Sequence, residues 1–247
     1  MEYIITCISH NRHENIQKFF DVVGTNKITF FVKDQTDIEN YKLNGALNVI
    51  ASGSLMDSRN AALDYCFKQG KVCIELSDDL ENIMVNDFTG KRTKQYVTVI
   101  EVLNDIMPQF INSEYYLAGF PPTNNPFFAL KPTELNKFIV GDFLIIKPTE
   151  LRFDTNMRLK EDYDFCLQFM KEKGGCIRYG KYLMSFKHYS NKGGAVSYRT
   201  EQLEQQTIKY LINKWGECIK LNTKRPNEIL LNKNSYKILT SKQTTLF

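Results

Sequence analysis

Apolar and polar positions follow two alternating patterns along the first third of the chain. Short apolar runs predict buried strands, and apolar residues spaced three or four positions apart predict amphipathic helices. The predicted strands are YIITCIS, KITFFVK, LNVIA and KVCIEL. The predicted helices between them are HENIQKFFDVVG, TDIENYKLNG and LMDSRNAALDYCFKQG. This alternation predicts an α/β fold whose mainly parallel sheet is flanked by helices, with ligands at the carboxyl ends of the strands.

The pattern becomes more mixed in the middle of the chain. IMVNDFTGKRTKQYVT predicts a hairpin around Thr89 and Gly90, and VTVIEVLNDIMPQF predicts a helix that stops near Pro108. Later segments predict one further strand in KFIVGDFLIIKP and short strands in CIRYGKYLMSFKHYS. They also predict two further helices, KEDYDFCLQFMKEKGG and TEQLEQQTIKYLINKWG. The tail after Trp215 is weakly patterned. Because no compositional change marks a boundary, we expect one domain over residues 1–247.

Composition and charge narrow the class of protein. Hydrophobic residues make up 43% of the chain and charged residues 24%, which predicts a folded protein with a sizeable core. The net charge of +4 neither requires nor excludes a polyanionic partner. Six cysteines without CxxC pairs predict reduced core thiols. No apolar run approaches the roughly 20 residues that span a bilayer, and no leader pattern opens the chain. We therefore expect a cytoplasmic protein without membrane contact or an obligate protein partner.

Two candidate groups of ligand-binding residues lie near the predicted fourth strand. Asp78 and Asp79 follow KVCIEL directly. Carboxylate oxygens suit Mg²⁺ or Mn²⁺, which bind one or two carboxylates and bridge to substrate phosphates. A helix cap or a solvated turn is the alternative. Arg59, at the start of the preceding helix, could clamp a diphosphate or stack on a base, or it could be an ordinary surface arginine.

A second acidic group crowds the start of a later helix, in LKEDYDF. Its members are Glu161, Asp162 and Asp164, and one of these carboxylates could act as a general base toward an alcohol. The helix dipole is expected to stabilise the anion and to keep its pKa low. Helix capping by Asp162 is the alternative role.

The segment FKHYSNKGGAVSYR combines a histidine, glycines and basic residues. His188 could complete a metal site, while the flexible pair Gly193 and Gly194 could close over a phosphate beside Arg199. A plain surface loop is the alternative. The sequence contains no zinc-type cysteine–histidine spacing, P-loop or nucleophile elbow.

The order of these motifs resembles the GT-A class of nucleotide-sugar glycosyltransferases. CISHNR, SRNAAL, CIELSDD, EDYDF and the late histidine carry the resemblance from about residue 3 to 200. FFVKDQTDIENYKLNGALNVI, LMDSRNAALDYC and LKEDYDFCLQFMKEKGG…KGGAVSYRTEQ are most similar to the TET-associated glycosyltransferase family. Phage members of that family are implicated in glycosylating hydroxymethylated pyrimidines in DNA, such as hydroxymethylcytosine.

The resemblance implies a GT-A (Rossmann-like) fold and a division of labour along it. The nucleotide-sugar-binding half would cover about residues 1–97 and the acceptor and catalytic half about 98–215, followed by a C-terminal extension over 216–247. Asp34 would hydrogen-bond the base or ribose of the donor, with Gln35 and Asp37 competing for that role. Arg59 would face the base or the diphosphate. The nucleoside pocket would be lined by Thr6, Ser9, Asn11 and Arg12.

The resemblance also implies a divalent metal ion, Mn²⁺ or Mg²⁺, on the diphosphate of the donor. Asp79 matches the acid of the DxD motif that contacts the metal, and Asp78 and His188 would be further ligands. Ser77 replaces the first acid of that motif, which leaves metal dependence open.

The implied mechanism is a single displacement. Asp162 or Glu161 would lie where inverting members keep their base, and would deprotonate the acceptor hydroxyl as it attacks the anomeric carbon. Gly193, Gly194 and Arg199 would close the site. Retention of anomeric configuration remains an alternative.

The acceptor leaves three hypotheses open. The first is transfer from a nucleotide-sugar, such as a UDP-sugar, to a hydroxymethylated pyrimidine in phage DNA inside the host cytoplasm. Basic segments that could contact the DNA backbone are TGKRTK, FKHYSNKGG and LNTKRPNE, and NNPFF could supply a wedge or stacking surface. The second hypothesis keeps the chemistry but takes a glycan, lipid or protein hydroxyl. The third is an inactive nucleic-acid-binding module on the same scaffold.

Overall fold

Four parallel strands and the helices between them form the first third of the molecule. The computed structural model describes residues 1–187 and 198–243. The strands are β1 (Tyr3–Ile8), β2 (Thr29–Val32), β3 (Asn48–Ala51) and β4 (Val72–Ser77), paired in the order β3-β2-β1-β4. The helices are α1 (Ile16–Val23), α2 (Gln35–Leu43) and α3 (Leu55–Phe67). The predicted alternation of strands and helices is confirmed.

After β4 the chain leaves this sheet and starts a smaller one. Strand β5 (Leu80–Val85) pairs antiparallel with β6 (Tyr96–Val97), and the connection between them is the predicted hairpin loop around Thr89 and Gly90. A later strand completes the three-stranded sheet on the other side of β5. The two-residue turn between β4 and β5 therefore joins the two sheets.

Helix α4 (Val99–Asn112) continues past Pro108, so the predicted stop near this residue is wrong. A proline inside a helix costs about 3 kcal/mol, because it removes one hydrogen bond and crowds the preceding turn. Full burial of an apolar side chain contributes about 1.5–3 kcal/mol. The buried side chains on one face of α4 outweigh the proline, and they are Val99, Val102, Leu103, Ile106, Met107 and Phe110.

The second half of the chain extends the large sheet with strands of both directions. These strands are β7 (Leu117–Gly119), β8 (Thr133–Leu135), β9 (Phe143–Ile146) and β10 (Ile177–Tyr179), and β11 (Tyr182–Phe186) joins β5. Within the described residues the large sheet has eight strands in the order β3-β2-β1-β4-β9-β7-β10-β8. Strand β9 is antiparallel to both β4 and β7, and β8 is antiparallel to β10. The sheet is therefore mixed, with most strands parallel.

The remaining elements are two helices and, in the weakly patterned tail after Trp215, a hairpin and one further helix. They are α5 (Glu161–Glu172), α6 (Glu201–Trp215), the hairpin β12 (Ile219–Leu221) and β13 (Ile229–Leu231), and α7 (Ser235–Gln243). Short 3-10 turns cover His13–Asn15, Pro126–Phe128 and Gly216–Cys218. Tail residues Cys218, Ile219, Ile229 and Leu239 are buried in a hydrophobic cluster with α3 and α5.

Two hydrophobic clusters cover the two faces of the large sheet. One contains side chains of α1 and α4, and the other contains side chains of α3, α5, α6 and α7. Along β4, Val72, Ile74 and Leu76 belong to the first cluster and Cys73 to the second. All six cysteines are buried, as expected for core thiols. In the described parts of the chain, no helix is both long and apolar enough to span a bilayer.

Candidate active site

A polar cavity of about 770 Å³ opens at the carboxyl ends of the first four strands. Exits of parallel strands meet at one edge of a sheet, which is where α/β proteins bind ligands. The start of α3 and the start of α5 complete its walls. Basic and acidic residues both line it, namely His10, Arg12, Lys33, Arg59, Arg158, Lys160 and Arg199, with Asp78, Asp79, Asp142, Glu161 and Asp162. The cavity thus combines the two predicted acidic groups.

The acid pair of the β4–β5 turn is bound to a cation of the same chain. Arg12 Nη1 lies 2.5 Å from Asp78 Oδ1 and 2.6 Å from Asp79 Oδ1. The three side chains are only 8%, 11% and 9% exposed, respectively. Burial raises the pKa of Asp78 to about 6, although the Arg12 charge partly offsets this. Ser9 also donates a hydrogen bond to Asp78, which fixes the exit of β1 to this turn.

The acid pair offers a partial ligand set for a divalent ion. Oxygens of Asp78 and Asp79 converge on one point, which the Arg12 nitrogen marks as a cation position. Mg²⁺ and related ions take one or two carboxylates and complete their shell with water and phosphate. An ion bound at this point would have to displace the Arg12 nitrogen. Across residues 1–187 and 198–243, no cluster of three or more ligating side chains forms a ready metal site. His188 lies outside the described residues.

Arg59 bonds to protein groups at the back of the cavity. Its guanidinium donates to the carboxylate of Glu75, to the Gly141 carbonyl at 3.0 Å and to Glu161 Oε1 at 2.9 Å. It also stacks over the Phe153 ring, 4.9 Å from the centroid. Gly141 leaves room for the guanidinium, because a Cβ there would lie 2.9 Å from Arg59 Nη2 and would require that group to shift. In this arrangement Arg59 ties β4 to the start of α5, and its predicted contact with the donor stays a prediction.

Asp162 lies in the first turn of α5, close to other acidic side chains. Its Oδ2 accepts from the Gly141 amide at 3.3 Å and its Oδ1 from the Tyr163 amide at 3.0 Å. Burial, together with the charges of Glu161 and Asp142, raises its pKa to about 7. The expectation of a low pKa is therefore wrong, because loss of water and repulsion between acids outweigh the helix dipole. The capping alternative is also wrong, because Lys160 occupies the N-cap of α5.

Asp142 is a site residue that sequence reasoning missed. It precedes β9, and its carbonyl accepts from the Ser77 amide at 2.8 Å. Because β9 runs antiparallel to β4, the start of β9 lies at the same edge as the exit of β4. Burial raises the pKa of Asp142 to about 7, with Arg59 opposing the shift. The sequence signal for Asp142 was its position in the dipeptide GD, directly before the apolar run FLII. That run predicts a strand but does not reveal the direction in which the strand runs.

The predicted nucleoside-pocket residues separate into two groups. Ser9 and Arg12 line the cavity, whereas Thr6 and Asn11 lie outside its walls. Thr6 is fully buried between strands, where its hydroxyl donates to the Ile74 carbonyl at 3.0 Å. Asn11 is exposed and adopts a positive φ of 56°. The pocket residues predicted from the first strand therefore reach the cavity only through two side chains.

Asp34 and Asp37 have structural contacts at the exit of β2. Asp34 is exposed and caps α2, accepting from the Asp37 amide at 3.1 Å. Asp37 is buried and accepts from His10 Nδ1 at 2.7 Å and from the Asn11 amide at 3.2 Å. It thereby holds the exits of β1 and β2 together. Neither acid lines the cavity.

The far wall of the cavity is basic. Arg199 lies 3.3 Å from Glu204 Oε1, and Lys160 lies 2.5 Å from Glu204 Oε2, so α6 orients both cations. Arg158 stacks 5.0 Å from the centroid of the Tyr198 ring, which also lines the cavity. The predicted closing residues Gly193 and Gly194 lie outside the described residues.

Comparison with known proteins does not assign this chain to a family, so its fold class is described from the structure. Neither a protein-family model nor a curated protein matches this chain. The molecule is an α/β protein with a large mixed sheet flanked by helices, compatible with a Rossmann-like fold. Its candidate site is a cavity lined by both acidic and basic side chains at the carboxyl edge of the parallel strands.

Proposed function

We propose that the protein is a GT-A-type glycosyltransferase that moves a sugar from a nucleotide-sugar, most simply a UDP-sugar, to a hydroxymethylated pyrimidine in DNA. One observation carries the proposal: Asp78 and Asp79 share a single cavity with Glu161 and Asp162. Transfer from donor to acceptor needs both acid pairs in one cavity. A displacement at the anomeric carbon requires a site for the leaving group on one side of that carbon and a base on the other. The order of the sequence motifs supports the same class.

The size and charge of the cavity suit a nucleotide-sugar. Its volume of about 770 Å³ lies within the range of roughly 300–1,000 Å³ typical of small-molecule sites. Arg12, Lys33, Arg158 and Arg199 would neutralise the diphosphate of the donor. Asp79 and Asp78 would hold a Mn²⁺ or Mg²⁺ ion, which when bound stabilises negative charge on the departing diphosphate.

Asp162 is the stronger candidate for the base. Its raised pKa, about 7, lets it exist as an anion and accept a proton near neutral pH. Glu161 is bound to the Arg59 guanidinium at 2.9 Å, so it is better suited to holding that guanidinium in place. In the proposed step the acceptor hydroxyl gives its proton to Asp162, its oxygen bonds to the anomeric carbon, and the nucleoside diphosphate leaves with the bonding electron pair.

The assignment of the acceptor is tested by offering two kinds of DNA to the same preparation of the protein. Radiolabelled UDP-sugars and Mn²⁺ are incubated with the protein and either hydroxymethylated or unmodified DNA. Label in hydroxymethylated DNA alone supports the proposal. Donor hydrolysis with no label in either DNA favours a glycan, lipid or protein hydroxyl. Binding of DNA without donor turnover under any condition favours an inactive module and overturns the proposed activity.

Replacement of Asp79 tests whether the acid pair takes part in the reaction. We expect Asp79→Ala to lower kcat by about 100-fold or more, because it removes charge stabilisation at the leaving group. Asp21→Asn, an exposed acid on α1, is the matched control and should leave kcat unchanged. Full activity of Asp79→Ala would refute the role assigned to the acid pair.

A further inference from the structure

The 3-10 turn Pro126–Phe128 presents its large side chains to solvent and buries its small ones. Phe127, Phe128 and Leu130 are 64%, 67% and 55% exposed, whereas Ala129 is 2% exposed and Pro126 is buried. Soluble proteins usually bury large aromatic side chains, and contiguous exposed apolar groups mark interaction sites. The pattern is therefore the reverse of what packing alone would give.

The turn is firmly anchored beneath these side chains. Ala129 packs against Met84 and Leu183 of the small sheet, and its carbonyl accepts from Asn86 Nδ2 at 2.6 Å. The side chain of Asn125 accepts from the Phe127 amide at 3.1 Å. The rings of the two phenylalanines lie 5.2 Å apart and nearly perpendicular, at 89°. The backbone that carries the exposed rings is thus anchored to the small sheet.

A basic loop lies directly beside the exposed rings. Arg92 Nη2 donates to Asn124 Oδ1 at 3.2 Å, and a Cβ at Gly90 would lie 3.8 Å from Leu130 Cδ2. Residues 87–96 and 122–131 together contain four basic residues and one acidic residue. We call the combined feature the aromatic–basic surface, formed by Phe127, Phe128, Leu130, Lys91, Arg92 and Lys94.

We propose that the aromatic–basic surface binds a single-stranded stretch of nucleic acid, with bases stacked on the phenylalanine rings and phosphates on the basic loop. Proteins that bind single strands combine cationic grooves with aromatic rings on which bases stack. Membrane-binding segments instead present a long apolar helix face, whereas this surface exposes three apolar side chains beside a three-residue turn. This proposal depends on the proposed function in one respect only, which is that the single-stranded nucleic acid is DNA.

The position of the surface suits a role in holding DNA near the cavity. Strand β5 runs for six residues from the acid pair toward the basic loop, which is about 20 Å at roughly 3.3 Å per residue. A stacked strand advances about 3.4 Å along its axis for each nucleotide. The surface would therefore contact the strand about six nucleotides from the nucleotide that enters the cavity.

The test measures binding without any sugar donor. Fluorescence anisotropy follows a labelled 20-nucleotide oligo(dT) titrated with full-length protein at fixed salt. We expect Phe127→Ala/Phe128→Ala to weaken binding at least about fivefold, because removing the ring under a single stacked base already has an effect of this size. Leu43→Ala/Leu47→Ala removes two exposed apolar side chains at and just after the end of α2 and is the matched control, with unchanged affinity expected.

The basic loop is tested by salt dependence. Lys91→Gln/Arg92→Gln/Lys94→Gln should reduce the slope of log affinity against log salt by about 0.7 for each phosphate that the loop no longer neutralises. An unchanged affinity in the phenylalanine double variant overturns the proposal. So does binding of phosphatidylserine vesicles in place of oligo(dT).

The two proposals fail separately. A wild-type protein that consumes UDP-sugar but does not bind oligo(dT) overturns only the surface. A wild-type protein that binds oligo(dT) through these rings but consumes no donor overturns only the transferase.

Discussion

Arg12 competes with any metal ion for the acid pair. Its Nη1 nitrogen occupies the point on which Asp78 and Asp79 converge, at 2.5 and 2.6 Å. Two unit charges about 4 Å apart interact by roughly 4 kcal/mol at an effective dielectric constant of 20. Removing the guanidinium should therefore leave the carboxylates with unneutralised charge and make them a better site for Mn²⁺.

We expect Arg12→Gln to bind Mn²⁺ at least about tenfold more tightly than the wild type, because about 1.4 kcal/mol is sufficient for this change. Titration followed by electron paramagnetic resonance of free Mn²⁺ measures the affinity in the absence of donor. Arg225→Gln, an exposed arginine 73% accessible to solvent, is the control. Equal or weaker Mn²⁺ binding by Arg12→Gln would show that the ion does not use this position.

Asp162 sets the expected pH dependence of the reaction. Its pKa of about 7 means that the base is mostly protonated below this pH, so kcat/KM should rise with pH and level off above about pH 7. Asp162→Asn cannot accept the proton and should lower kcat by about 100-fold or more. The pH–rate profile of both proteins is the measurement. Retention of the same rising profile in the variant would assign the titrating group elsewhere.

At the scale of elements, helix α4 carries an exposed proline that packing tolerates. Pro108 cannot donate a hydrogen bond to the carbonyl of Asn104, and it is exposed to solvent. Pro108→Ala should therefore raise the free energy of unfolding by about 1–3 kcal/mol. Urea denaturation measures the change, with Gln109→Ala, an exposed neighbour in the same helix, as the control. A destabilised Pro108→Ala protein would mean that the proline ring itself is needed.

Elements with strong local signals were predicted from the sequence, and the exceptions have physical causes. Helices α1 and α3 and strands β1 to β4 follow the periodicity of their apolar residues. Helix α4 was predicted too short because the buried face beyond Pro108 outweighs the local penalty. The β12–β13 hairpin was missed because its residues become buried only through contacts with distant helices. Local pattern does not encode such contacts.

The residues of the candidate site also separate into those with a local sequence signal and those whose placement depends on distant parts of the chain. Asp78, Asp79, Arg59 and Asp162 follow strands or open helices, and all four line the cavity. Asp142 was missed because its placement depends on the reversed direction of β9. The direction of the Asp162 pKa shift was missed for a related reason, since it depends on neighbours far away in sequence.

At the scale of the whole molecule, buried acids link stability to pH. Burial raises the pKa of Asp78 to about 6 and those of Asp142 and Asp162 to about 7, whereas unfolded carboxyls titrate near roughly 4. The folded protein therefore binds more protons between these values. These protons make their full contribution to the free energy of unfolding below about pH 4. That contribution is lost as the pH rises through about 6 to 7.

We expect Asp142→Asn to flatten this dependence, because the amide has no proton to lose. The free energy of unfolding of the wild type should fall more steeply between pH 4.5 and 7.5 than that of the variant, by on the order of 1 kcal/mol or more. Urea denaturation at both pH values provides the comparison. Asp21→Asn, which removes an exposed acid, should behave as the wild type. Parallel curves for Asp142→Asn and wild type would contradict the linkage.

The guanidinium between the two aspartates also has a consequence for handling the protein. The turn between β4 and β5 joins the two sheets and carries two adjacent carboxylates. Here the chain brings its own counter-charge from the exit of β1. Purification and crystallisation can therefore proceed in chelator, and divalent salts become a reagent to titrate in the assay rather than an ingredient of every buffer.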